Sequence, residues 1–75
     1  MVTLREARIR KLLSIAALAE KAGVAIATVH LAEQGRRVPQ YATMRKIAEA
    51  LELDPREITE FRAALEAALE GKEAA

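Results

Sequence analysis

The side chains able to do chemistry are few in this chain of 75 residues, and their spacing suits binding better than catalysis. There is one histidine, His30, and no cysteine. A metal ion held on one helix needs a second ligand three or four residues away. Positions 26, 27, 33 and 34 offer only Glu33, so no metal site is expected within one chain. The sequence also lacks a glycine-rich phosphate loop and a cluster of carboxylates, which argues against an enzyme, a bound cofactor or a small-molecule substrate. What remains is cationic. Arg10, Arg36, Arg37 and Lys46 suit contacts to the phosphates of a polyanion, which position a partner without reading it.

Those cations belong to a basic half. Residues 1–46 carry nine Lys or Arg against three Glu, a balance of +6, whereas residues 47–75 carry three against eight Asp or Glu, a balance of −5. The first half suits phosphate contact and the second would repel it, although ordinary solvated charge explains the numbers equally well. Apolar residues make up 52% of the chain, with one Phe, one Tyr and no Trp, so one small domain spanning 1–75 must build its core from aliphatic side chains. Helices suit that composition best. With no cysteine there is no disulfide framework, and neither a signal-like start nor an apolar run of eighteen residues is present, so a cytoplasmic chain without a membrane partner is expected.

Five helices can be placed from local signals. Thr3 and Glu6 form a capping box that starts the first, with Leu4, Ile9, Leu12 and Leu13 at roughly helical spacing. Ser14 caps the second, which runs to Ala22 before Gly23. The third runs from Ile26 to Gln34 and stops at Gly35, behind Ala25, a poor cap that costs roughly 1 kcal/mol relative to Ser or Thr. Residues 14–35 therefore read as two short helices meeting at a sharp turn. After an exposed loop at 36–39, the fourth helix covers 41–51 with Met44, Ile47, Ala48 and Leu51 inward. Asp54, Pro55 and Glu57 predict that the fifth begins at 55 and runs to about 70, with Leu53 stapled onto Ile58 and an apolar stripe of Ile58, Phe61, Leu65 and Leu69; residues 71–75 should fray.

This arrangement resembles the lambda-repressor/Cro-like helix-turn-helix family, also called the xenobiotic-response-element type, over nearly the whole chain. Leu4-Arg5 through Arg10-Lys11 is similar to that family's first helix. Leu18-Ala19-Glu20-Lys21-Ala22-Gly23-Val24 resembles its second helix and turn, and Glu33-Gln34-Gly35-Arg36-Arg37-Val38-Pro39 the close of its recognition helix. Thr43 through Leu51, followed by Asp54-Pro55, looks like its fourth helix and the entry to its fifth. The resemblance implies a compact all-α, five-helix domain in which Arg8 and Glu33 form a partly buried ion pair between the first and third helices.

It also implies that bases would be read from Ile15, Ile26, Ala27, His30 and Leu31, where polar side chains are expected. Base edges in the major groove offer hydrogen-bond donors, acceptors and a thymine methyl, and only His30 among these residues can hydrogen-bond. Ala16 and Ala17 stand where the family often has polar residues, Ala25 where it has a Ser or Thr cap, Ala32 where it has a larger apolar residue, and Leu12 where glycine relieves a left-handed backbone. The register that buries Leu18, Val24 and Val29 turns Ile15 and Ile26 outward. Leu12, Ile15, Ala16, Ala25, Ile26, Ala27, His30 and Leu31 thus read as an apolar contact patch. The function expected first is protein contact, with a second copy of the chain as the leading partner; an engineered scaffold, or a family member turned to protein contact, would show this pattern. The alternative is a DNA-binding transcriptional regulator, held weakly or nonspecifically through its phosphate-contacting cations.

Overall fold

Side-chain caps start the first two helices. The Thr3 hydroxyl accepts from the Glu6 amide at 3.1 Å and the Glu6 carboxylate accepts from the Thr3 amide at 2.9 Å, which opens α1 (Leu4–Arg10). The bond from the Thr3 amide foremost, with the Thr3 side chain beside it, holds the Glu6 carboxyl below its ordinary range. The Ser14 hydroxyl accepts from the Ala17 amide at 3.0 Å and opens α2 (Ile15–Ala22). The computed structural model describes residues 1–71, and adds α3 (Ile26–Glu33), α4 (Tyr41–Ala50) and α5 (Thr59–Leu69). Of the tail expected to fray, residues 72–75 lie outside the described residues. The fold is all-α, with no strand among the described residues.

All five α-helices are followed by a residue with positive φ, Gly71 (φ 76°) after α5 among them, and two of those residues are not glycine. Gly23 (φ 73°) and Gly35 (φ 67°) follow α2 and α3, whereas Leu12 (φ 57°) and Glu52 (φ 58°) follow α1 and α4. The ends of α1 to α4 carry the same pair of backbone bonds; after α1 the Leu12 amide reaches the Ile9 carbonyl at 2.8 Å and the Leu13 amide reaches the Arg8 carbonyl at 3.2 Å. Leu12 therefore takes the left-handed position that glycine holds after α2 and α3. A left-handed residue other than glycine costs roughly 1–2 kcal/mol. Leu12 is 92% exposed, so removing its side chain forfeits no packing. Leu12→Gly is expected to raise stability by roughly 0.5–1 kcal/mol after glycine's greater freedom in the unfolded chain is subtracted, seen as a Tm a few degrees higher. An unchanged or lower Tm would contradict a left-handed Leu12. Glu52, which no sequence signal marked, is met by the Lys11 ammonium at 2.8 Å, so the two strained turns are bridged.

The fifth helix starts later than its sequence signals indicate. Pro55–Glu57 is a 3-10 turn capped by Asp54, whose carboxylate accepts from the Arg56 amide at 2.8 Å. The side-chain bond from Arg56, with that backbone bond, draws the Asp54 carboxyl down to about 2. Ile58 is then extended (φ −98°, ψ 121°) and α5 begins at Thr59. The cause is a nonlocal pairing. The Val2 amide donates to the Glu57 carbonyl at 3.0 Å and the Thr59 amide to the Val2 carbonyl at 2.8 Å, so these groups are taken by the N-terminal segment rather than by a helix from 55. Glu60 then accepts from the Leu4 amide at 2.8 Å, tying α5 to the start of α1.

Leu18, Val29, Ile47, Leu51 and Ile58 are buried at the centre, joined by Leu4, Met44 and Phe61; Val24 and Leu53 pack against them from the edge. The α5 stripe divides, with Ile58 and Phe61 inside and Leu65 and Leu69 in solvent.

Candidate functional site

The axes of α2 and α3 turn through 119° across Gly23, where the Val24 amide closes on the Ala19 carbonyl at 2.9 Å. That bend presses Val29 and Ala32 of α3 inward and frees its opposite side. At 3.6 residues per turn, Ile26, Ala27, His30 and Gln34 share one arc of about 100°. All four are exposed, Ile26 by 56%. Gln34 was legible in the sequence only as a helix end; its place four residues beyond His30 was the signal that it shares this face. Ala16, Ala25 and Leu12 are exposed as well, and Ala25 offers α3 no side-chain cap.

Ile15 must be removed from the outward patch. It is half-buried and packs against the core, because the first residue of α2 lies three and four positions before the buried Leu18 and Ala19 and shares their face. Leu31 is half-buried too, on the flank between the inward and outward arcs of α3. The large apolar side chains left strongly exposed in the patch are Leu12 and Ile26.

Behind this face, Arg8 and Glu33 meet in a bidentate pair. Arg8 Nε lies 2.5 Å from Glu33 Oε2 and Nη2 lies 3.1 Å from Oε1, with the side chains 11% and 7% exposed. The remaining guanidinium nitrogen, Nη1, donates to the Leu13 carbonyl at 2.8 Å. One cation therefore joins α1, the turn into α2 and the end of α3. The hydrogen bonds it donates to the Glu33 carboxylate raise the Arg8 pKa above its ordinary value.

Arg10, at the end of α1, Arg36 and Arg37, after α3, and Lys46, on α4, are all exposed, and none is in a salt bridge among the described residues. Two of the three carboxylates of the basic half, Glu6 and Glu33, are occupied by the cap and the ion pair. Among the described residues no single helix is long and apolar enough to cross a membrane.

Neither the curated proteins nor the solved structures compared with the chain gave a match. The family model for the helix-turn-helix domain matches residues 2–61, which takes in the bent helix pair, the ion pair and the first turn of α5. The chain belongs to the helix-turn-helix domain family.

Proposed function

We propose that this domain binds duplex DNA, holding it chiefly through phosphate contacts. The observation that carries this reading is that Arg10, Arg36, Arg37 and Lys46, in the half of the chain that contains the helix-turn-helix, are exposed and outside any salt bridge among the described residues, as are Arg5, Lys21 and Arg45. Protein contact, favoured on the sequence, loses ground with Ile15. Two large side chains among alanines are a small anchor set for an interface that ordinarily buries about 800 Å² per partner.

The test is duplex binding followed by fluorescence anisotropy between 50 and 200 mM salt. Each phosphate contact contributes a slope of about −0.9 in log K against log salt, so four contacts predict a slope of about −3.6 and a fall of roughly 10²-fold over that range. Arg36→Ala with Arg37→Ala should reduce the slope by about 2 and leave Tm unchanged. A salt-independent affinity, or none at 50 mM, would sink the proposal. The second reading, self-association through Leu12 and Ile26, is favoured by one observation: a leucine is held 92% exposed at a strained backbone position. A chain that ignores the duplex and sediments as a concentration-dependent dimer would support that reading instead.

A further inference from the structure

We infer that the exposed start of α3 selects duplexes whose major groove presents C5-methyl groups, those of thymine or 5-methylcytosine, through Ile26; the inference rests on the duplex-binding reading. The outward arc of α3 is graded along its length. Its N-terminal end carries Ile26 and Ala27, whose side chains neither donate nor accept hydrogen bonds, and the polar groups His30 and Gln34 follow one and two turns later. In a helix-turn-helix the N-terminal residues of the second helix meet the base edges. Against a donor or acceptor on a base edge, Ile26 displaces water and returns no hydrogen bond, which is unfavourable. The pyrimidine C5-methyl is the one apolar group the groove displays, and it alone repays burial of this side chain.

The surroundings suit that contact. Ala25 and Ala27 flank Ile26 with the least bulk a side chain can have, so the helix start can approach closely, and at 56% exposure Ile26 has apolar surface still to bury. As a β-branched residue in a helix it holds one χ1 rotamer, so little side-chain freedom is lost on contact. His30 and Gln34 then address neighbouring base pairs through their own polar edges, which confines methyl recognition to the N-terminal end of the face.

The experiment compares one mixed-sequence duplex in three forms: with thymine, with uracil replacing every thymine, and with 5-methylcytosine replacing every cytosine. These differ in the major groove by methyl groups alone. Binding should weaken roughly fourfold from thymine to uracil for each methyl covered, and strengthen on cytosine methylation. In Ile26→Ala the preference should disappear while Tm and the salt slope hold, since the side chain is exposed and outside the phosphate-contacting set. Equal affinity for the thymine and uracil duplexes would overturn the inference and leave the duplex-binding reading standing. A preference that survives in Ile26→Ala would overturn the assignment to this residue. Absence of binding to any of the three would overturn both.

Discussion

Arg8→Met is expected to destabilise the domain by about 3–5 kcal/mol. The whole stability of a chain this size is roughly 4–11 kcal/mol, so one such loss removes a large share of it. The reason lies in what remains. Glu33, 7% exposed, would keep its charge with no guanidinium to answer it, and the Leu13 carbonyl would lose its donor. The partner shows where the loss comes from: Arg8→Met combined with Glu33→Leu removes both charges and should recover most of the stability, short by about 1 kcal/mol for the Leu13 bond. Urea denaturation measures both. A loss below 1 kcal/mol in the single variant would place the pair in solvent, where ion pairs contribute little, and the prediction would fail.

The elements legible in the sequence were those whose cause is local. Thr3 with Glu6, Ser14, Gly23 and Gly35 act on backbone groups within four residues of themselves, and each sits at a helix end in the structure. The core positions Leu18, Val29, Ile47, Leu51 and Ile58 follow from helical spacing alone. What escaped the reading was set by distant partners. Asp54-Pro55 with Glu57 is a sound helix start in isolation, yet Val2, more than fifty residues earlier, takes the backbone groups that a helix from 55 would need. Ile15 was misplaced for a different reason. The resemblance put it on the reading face and the register of Leu18 and Val29 was read as turning it outward, whereas a residue three and four positions before Leu18 and Ala19 shares their buried face. Glu52 could not be foreseen, because an exposed glutamate carries no mark of a left-handed backbone.

Those outcomes bear on function as well as fold. With Ile15 inward, the apolar character of the face rests on Ile26 and Leu12, at the starts and ends of helices rather than in one broad hydrophobic surface. A narrow apolar spot on a domain whose exposed cations are outside any salt bridge among the described residues suits a groove lined by phosphates better than it suits a protein interface with a dry centre.

Phe61→Ala is the second large effect, expected to cost about 3–5 kcal/mol and, through that, duplex affinity. Phe61 is the chain's one phenylalanine and is 2% exposed. It lines a crevice shared with Tyr41 and Met44 of α4 and another shared with Ala32 and Gly35 at the end of α3, so it fills the junction at which α5 supports both. An eight-residue helix such as α3 has too few turns to persist by itself and holds its angle to α2 only by packing. Emptying that junction should therefore loosen the face that meets the duplex, even though Phe61 itself is buried. Phe61→Leu, which refills much of the volume, should retain most of both properties. Denaturation and anisotropy on the same samples separate the links: if Tm fell in Phe61→Ala while affinity held well below the new Tm, α1, α2 and α4 would suffice to hold α3, and α5 would serve stability alone.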